Sequence, residues 1–206
     1  MDSGCRTSQA YARAIRLILA NGGQIRTREA LKAGIHPRTL YQLRDEGALE
    51  TVSRGIYRLA DAPPLSSPDL VTVALRSPRA VVCLVSALAF HEITTQIPRA
   101  VAIALSKGAE TPRIDHPPIS VHRFSGHSFT AGIETHRIDG VNVRIYGPEK
   151  TLADCFKFRY KIGMDVVLEA LKLYRARKPF RADALLDYAR ICRVERIMRP
   201  YLETLA

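Results

Sequence analysis

The side chains with the clearest chemistry in this sequence lie in one short stretch, residues 37–46. Arg38 and Gln42 are four residues apart, which places them on one face if the stretch is helical. Their guanidinium and amide groups can make paired hydrogen bonds to the major-groove edges of guanine and adenine. The stretch therefore predicts recognition of double-stranded DNA. The polar side chains expected to face outward are Arg38, Thr39, Tyr41, Gln42 and Arg44.

The surrounding residues predict the elements that would position this stretch. Residues 27–33 favour a helix whose first residue, a threonine, is a good N-cap, and Gly34 can adopt the left-handed conformation that ends it. Residues 37–46 begin with a proline, which fits the first position of a second helix. Leu40 and Leu43 are three residues apart and form the inner stripe of that helix, so its polar side chains are left for solvent.

A hairpin is predicted directly after the second helix. Residues 48–52 and 56–59 alternate as half-buried strands do, with Arg54 near the tip of the turn between them. An amphipathic helix over 8–20 precedes these elements, so we predict a winged helix-turn-helix domain over residues 1–62. Its predicted core consists of Tyr11, Ala14, Ile15, Ile18, Leu19, Leu31, Ile35, Leu40 and Leu43.

The rest of the chain, residues 63–206, predicts a larger α+β domain. A proline-dense stretch over 60–68 indicates a linker, and Asp139-Gly140 is a strong hairpin signal. The expected architecture is a small, mainly antiparallel sheet with helices toward the C-terminus. Strands are predicted over 81–85, 100–105, 119–124, 132–138 and 141–146. Helices are predicted over 69–76, over 86–93 with Ser86 as N-cap, from 148 with Leu152, Ala153 and Phe156 inward, and over 164–176, 181–192 and 194–205.

The charge balance indicates a polyanionic partner. The chain has a formal net charge of +11, and such an excess most often accompanies nucleic-acid binding. Residues 1–62 hold 10 Lys+Arg against 6 Asp+Glu, and residues 157–199 hold 12 against 5. The second basic zone predicts either another contact with nucleic acid or a solvated helical face. Its candidate residues are Lys172, Arg175, Arg177 and Lys178.

The cysteines predict reduced, buried thiols. Cys5, Cys83, Cys155 and Cys192 form no CxxC pair, and three of them lie in apolar segments, which is typical of a cytoplasmic protein. The sequence also has no signal-peptide pattern and no run of about 18 apolar residues that would cross a membrane. We therefore expect a cytoplasmic protein without a membrane partner.

Other residues carry chemistry that their spacing does not support. His116, His122, His127 and His136 lack the short helical or CxxC spacing that fixes a metal site. Glu149-Lys150 offers the carboxylate and the lysine of a nuclease, but a nuclease needs further acidic residues at strand ends. A glutamate in the first turn of a helix already interacts favourably with the helix dipole. We therefore predict no enzyme activity, no metal site and no cofactor.

In combination, three stretches resemble the AbiEi antitoxins, the transcription-regulating halves of type IV toxin–antitoxin (abortive infection) operons. They are IRTREALKAGIHPRTLYQLRDEGALETVSRGIYRL at 25–59, SALAFHEIT at 86–94, and the hairpin that leads into YGPEKTLADCF at 146–156. The resemblance extends from about residue 10 to about residue 175. It implies that the N-terminal domain binds inverted repeats in its own promoter and represses the operon. It also implies that the C-terminal domain, residues 63–206, carries the antitoxin activity.

The resemblance further implies a cognate toxin that is similar to nucleotidyltransferases and forms no stable complex with the antitoxin. DNA contact is carried over to Thr27, Arg28, His36, Arg38, Thr39, Tyr41, Gln42 and Arg54, with Arg44 and Arg58 as weaker candidates. Two alternatives stay open: a winged-helix regulator whose C-terminal domain senses a ligand or partner, and a DNA-tethered nuclease. A nucleotidyltransferase reading frame directly downstream would favour the antitoxin.

Overall fold

The computed structural model describes residues 3–177 and 179–205. It contains a three-stranded sheet and a five-stranded sheet, with helices before, between and after the strands. The α+β class predicted from the sequence is confirmed. None of the helices within the two described ranges is long and apolar enough to cross a membrane.

The chain divides into two compact units. The first runs to Leu75 and also includes Arg137–Asn142, and the second comprises Arg76–His136 and the chain from Val143 onward. The first unit thus extends beyond residue 62, where the sequence placed the domain boundary. It includes most of the helix that follows the proline-dense stretch, together with a hairpin tip that is distant in sequence.

The first unit consists of short helices around a small antiparallel sheet. The strand order is β1-β3-β2, and β3 pairs antiparallel with both neighbours. The sequence analysis missed β1, which is only three residues long. The elements are α1 (Ser3–Ala20), β1 (Gln24–Arg26), α2 (Thr27–Lys32), α3 (Pro37–Asp45), β2 (Leu49–Ser53), β3 (Ile56–Leu59) and α4 (Pro68–Arg76).

The core of the first unit is mostly the predicted one, with two corrections. Ile35, Leu40 and Leu43 are buried against α1 and the sheet. Leu31 and Leu19 were predicted to be inside, but they are 44% and 58% exposed. Each follows directly after a fully buried residue of its own helix, and neighbours in a helix point about 100° apart. One of the two must therefore face solvent.

A hairpin tip from later in the chain completes the first unit. Asp139 Oδ2 accepts from the backbone N–H of Ser66 at 2.9 Å, and the amide of Gln24 donates to the Asp139 carbonyl at 3.2 Å. Gly22 and Gly140 are in backbone contact, since a Cβ added to Gly140 would lie 2.4 Å from the Cα of Gly22. Glycine is required at both positions for that approach, and both have positive φ.

The second unit is built around the five-stranded sheet, with strand order β6-β5-β4-β8-β7. β4 pairs antiparallel with β5 and parallel with β8, and β5 pairs parallel with β6. The sheet is therefore mixed, where the sequence analysis expected a mainly antiparallel one. Its strands are β4 (Val81–Val82), β5 (Val101–Ser106), β6 (Ile119–Phe124), β7 (Ile133–Ile138) and β8 (Val141–Tyr146). Its helices are α5 (Leu84–Phe90), α6 (His127–Thr130), α7 (Pro148–Lys157), α8 (Arg159–Ile162), α9 (Met164–Arg175), α10 (Ala182–Cys192) and α11 (Glu195–Leu205).

The predicted N-cap role of Ser86 is wrong. Helix α5 begins at Leu84 with Cys83 as its N-cap residue, so Ser86 lies inside the helix. The Ser86 hydroxyl is buried, donates to the Ala100 carbonyl at 3.3 Å and accepts from the Ala102 N–H at 2.9 Å. A polar group that leaves water needs such partners, and here they join α5 to the start of β5.

Helix α7 lies at the centre of the second unit, packed against α5, α9, α10 and α11. Leu152, Ala153 and Phe156 are buried as predicted. Lys150 and Asp154 are also fully buried, one turn apart on this helix. Their Nζ and Oδ2 atoms are 2.5 Å apart, in keeping with the rule that buried charges are paired.

The described cysteine side chains are buried free thiols, as predicted. Cys83, Cys155 and Cys192 all lie in the second unit, and burial raises the pKa of each thiol. The Cys192 thiol donates to Oδ1 of Asp154 at 3.2 Å. The side chain of Cys5 lies outside the described part of the chain.

Candidate nucleic-acid interface

The N-terminus of α3 has a cap that the sequence analysis did not assign. His36 has an extended backbone, and its Nδ1 accepts a hydrogen bond from the Arg38 backbone N–H at 3.2 Å. Helix ends leave such N–H groups without partners, and Pro37 has no N–H to satisfy. His36 was predicted as a DNA contact, and the structure also gives its ring this capping role. Histidine is not among the usual cap residues, so residue type alone did not reveal it.

Helix α3 has one buried, apolar face and one polar face. Leu40 and Leu43 are buried, as the inner stripe predicted. The side chains predicted to contact DNA lie at the remaining positions of this helix, away from Leu40 and Leu43. Arg38, Tyr41 and Arg44 are exposed, and Thr39 and Gln42 are half-buried. The helix therefore has hydrogen-bonding side chains on the face opposite its buried leucines.

Tyr41 and Arg44 are held together on the outer face of α3. The guanidinium carbon of Arg44 lies 5.3 Å from the centre of the Tyr41 ring, within cation–π range. Arg44 also pairs with Asp45 at 2.6 Å, and this hydrogen bond raises the pKa of the guanidinium. A phosphate would compete with that carboxylate, which keeps Arg44 a weaker DNA-binding candidate than Arg38.

The turn between β2 and β3 is joined to the start of α2. The predicted N-cap role of Thr27 is wrong, because Arg26 occupies the cap position and Thr27 is the first helical residue. The backbone N–H of Thr27 donates to the Gly55 carbonyl at 2.9 Å, and its hydroxyl donates to the same oxygen at 3.3 Å. These two hydrogen bonds attach the β2–β3 turn to the first residue of α2. Arg54, in the same turn, is exposed.

Two arginines near the hairpin are tied to backbone carbonyls. Arg58 is half-buried and donates to the carbonyls of Ala62 and Pro63, so its guanidinium is anchored to the chain that follows β3. Arg26, which the sequence analysis did not single out, donates to the Ala74 carbonyl at 2.9 Å. Arg28 is exposed and forms no ion pair within the described residues.

Comparison with known families assigns the part of the chain that contains these elements. Residues 13–60 match the family model described as "Transcriptional regulator, AbiEi antitoxin". We refer to residues 13–60 as the AbiEi-family domain, because it is this stretch of the chain that is similar to the family. It spans the last eight residues of α1 and all elements through β3, and the resemblance predicted from the sequence is confirmed there. The description of that family is of a transcriptional regulator, and the similarity to it is limited to this part of the chain.

One solved structure shows the fold beyond the AbiEi-family domain. The RV2827C protein from Mycobacterium tuberculosis matches with a TM-score of 0.55 at 16% sequence identity. The match covers 87% of this chain and 71% of that protein. At such low identity the likeness concerns the fold alone. A comparison with curated protein sequences finds no match.

The second basic surface predicted outside the AbiEi-family domain is only partly available. Lys172 and Arg175 are exposed in the last turns of α9. Arg177 is exposed and donates to the Glu92 carbonyl at 2.7 Å, with the Glu92 carboxylate at 3.7 Å. Lys178 lies outside the described residues. The structure thus places one of the predicted cations against an acidic residue of its own unit.

The side chains that suggested a nuclease are engaged inside the second unit. Lys150 is fully buried against Asp154, and its Nζ lies 4.2 Å from the centre of the Tyr146 ring. Glu149 is buried, accepts from the Tyr174 hydroxyl at 2.7 Å and lies 3.4 Å from the Arg181 guanidinium. Both residues of the motif therefore serve contacts within the core. Among the described residues no cluster of three or more His, Cys, Asp or Glu side chains could hold a metal ion.

Proposed function

We propose that this chain is a DNA-binding antitoxin and transcriptional autorepressor of a type IV toxin–antitoxin operon, acting in the cytoplasm. Its first unit would be a winged helix-turn-helix, with α3 as recognition helix and the β2–β3 hairpin as wing. The main support for the proposal is that α3 has two different faces. Leu40 and Leu43 form its buried face, and the opposite face is polar. The family match over residues 13–60 supports the regulatory role.

The polar groups of the first unit divide naturally into base contacts and phosphate contacts. Arg38 and Gln42 lie one turn apart on α3, a spacing that lets both side chains meet neighbouring base edges in the major groove. Arg54 at the exposed wing tip and Arg28 at the start of α2 suit phosphate or the minor groove. Phosphate contacts supply affinity and base contacts supply sequence choice, so these two groups have separable effects on binding.

Binding of the full-length protein to its own promoter tests this division of roles. Arg38→Ala should weaken binding to the inverted repeats by roughly 1–3 kcal/mol and relax the preference at one base pair of each repeat. Arg54→Ala should weaken binding to all duplexes alike and reduce the salt slope by about one. Arg99→Ala is the matched control, because Arg99 is an exposed arginine of the second unit. Unchanged promoter affinity of the Arg38 and Arg54 variants would contradict the proposed interface.

The antitoxin activity is assigned to the second unit and would counter a nucleotidyltransferase-like toxin without forming a stable complex. If the activities are separate, a full-length Arg38→Ala variant expressed from an unrelated promoter should still rescue growth when the neighbouring toxin gene is induced. The same variant should fail to repress the native promoter. Absence of growth rescue by the wild-type chain would favour the alternative, a regulator whose second unit senses a ligand or partner.

A further inference from the structure

A compact basic patch lies at the junction of α7 and α8, inside the basic zone 157–199 but apart from the four candidate residues predicted there. Residues 157–161 read Lys-Phe-Arg-Tyr-Lys, and no acidic residue occurs between 157 and 164. Lys157 and Lys161 are exposed, and Phe158 points inward. We call these five residues the KFRYK corner. It combines three cations with one outward aromatic ring.

The outward ring is Tyr160, which is 87% exposed. The guanidinium carbon of Arg159 lies 4.3 Å from the centre of this ring, and an Arg159 N–H donates to the Tyr160 hydroxyl at 3.1 Å. Arg159 is itself held, because another of its N–H groups donates to the carbonyl of Phe156 at 2.9 Å. The arginine thus orients the tyrosine ring while leaving most of it open to solvent.

The inner side of the KFRYK corner is fixed to the sheet. The centre of the Phe158 ring lies 5.6 Å from the centre of the Phe124 ring and 5.3 Å from the centre of the His122 ring, and both of these residues are on β6. Lys161 lies 6.0 Å from the centre of the Phe158 ring. Burial and the nearby Lys161 lower the pKa of His122, which is consistent with positive potential at this corner. Tyr160 and its flanking cations are therefore presented by a packed element.

We propose that the KFRYK corner binds single-stranded nucleic acid, with one base stacked on Tyr160 and the backbone phosphates near Lys157 and Lys161. Exposed cations alone are explained by solvation, but solvation does not account for an oriented, almost fully exposed tyrosine between them. Stacking platforms flanked by cations are the arrangement that binds single strands without sequence preference. A duplex keeps its bases stacked on one another and offers no free base face to this ring. The proposal is independent of the function proposed for the first unit.

Oligonucleotide affinity of the full-length protein provides the first test. A labelled twelve-residue oligouridylate and the matching oligothymidylate are the probes, and comparing them separates RNA from DNA as the natural strand. Tyr160→Ala should lower affinity for the bound probe by about tenfold, and Tyr160→Phe should stay within about twofold of wild type because it keeps the stacking face. Ile97→Ala is the control, since Ile97 is 90% exposed in the same unit. Promoter-duplex affinity should be unchanged in all three variants.

A fluorescence measurement reports stacking directly. The chain contains no tryptophan, so Tyr160→Trp places the variant's only tryptophan at the proposed platform, and its indole can be excited selectively over the tyrosines. Its emission should be quenched when either oligonucleotide binds, because a stacked base quenches indole fluorescence, and Ile97→Trp should show no quenching. No binding by the wild-type chain, equal binding by Tyr160→Ala, or equal quenching at both positions would overturn the proposal. A loss of promoter-duplex affinity in Tyr160→Ala would overturn it as well, by showing a duplex contact.

Discussion

Removing the ammonium group of Lys150 should expose the cost of a buried, unpaired carboxylate. Lys150 and Asp154 are both fully buried, and among the described residues only Lys150 and the Cys192 thiol donate to the Asp154 side chain. Lys150→Met keeps the length and apolar stem of the side chain but leaves that carboxylate with the weak thiol donor. Breaking one partner of a buried pair costs about 3–5 kcal/mol, so we expect a loss of that size in the unfolding free energy of the second unit at neutral pH.

The loss in the Lys150→Met variant should depend on pH with a defined sign. Burial raises the pKa of Asp154, and Lys150 opposes that increase. Without the ammonium group the folded-state pKa rises further above the unfolded value of about 3.9. The contribution of Asp154 to the variant's stability is therefore greatest below the unfolded pKa. The variant loses up to about 1.4 kcal/mol per pH unit as the pH rises toward the folded-state pKa.

Thiol labelling during urea unfolding measures this loss in the right unit. Cys83, Cys155 and Cys192 are buried there, so in a Cys5→Ser background their reaction with 4,4′-dithiodipyridine follows unfolding of the second unit. The double variant Lys150→Met, Asp154→Leu should recover most of the lost stability, because replacing both members of a buried pair by apolar groups is often neutral. If the unfolding free energy of Lys150→Met stays within about 1 kcal/mol of wild type at all pH values, Lys150 does not stabilise the buried Asp154 carboxylate as proposed.

Two further changes test the first unit by urea unfolding followed with circular dichroism. Gly140→Ala places a Cβ 2.4 Å from the Cα of Gly22 at positive φ, so it should cost about 1–3 kcal/mol more than Gly47→Ala. The control has a similar φ with nothing within 4 Å of the added carbon, and equal losses in the two variants would mean that the hairpin tip does not touch Gly22 in solution. His36→Ala should cost about 1 kcal/mol through loss of the α3 cap, and His36→Asn should restore it. An unchanged urea midpoint for His36→Ala would mean that the His36 cap does not stabilise the first unit.

The parts of the fold that follow from local patterns could be predicted from the sequence. Helix α3 was predicted because Pro37 sets its start and Leu40 and Leu43 set its inner face. The β7–β8 hairpin was predicted because Asp139-Gly140 needs the positive φ values that the structure shows. Hydrophobic periodicity and turn residues report on structure within a single helix, strand or turn. Helix α3 and the β7–β8 turn are local features of this kind.

Features that depend on contacts between distant residues could not be predicted in the same way. The assignment of Arg137–Asn142 to the first unit depends on Asp139 meeting Ser66 and Gln24. The burial of Lys150 depends on which helices surround α7. At the candidate site, the positions of Arg38 and Gln42 followed from helical spacing. The anchoring of Arg58 to the chain after β3 did not, because it depends on the folded path of that segment.

Methylation interference on the native promoter shows whether α3 of the full-length protein enters the major groove. Guanine N7 lies in the major groove and adenine N3 in the minor groove. We predict that methylation of guanine N7 within each inverted repeat prevents binding of the wild-type chain, and that Arg38→Ala loses sensitivity at one guanine per repeat. Interference only at adenine N3 would contradict entry of α3 into the major groove. An identical pattern for wild type and Arg38→Ala would contradict the base contact proposed for Arg38.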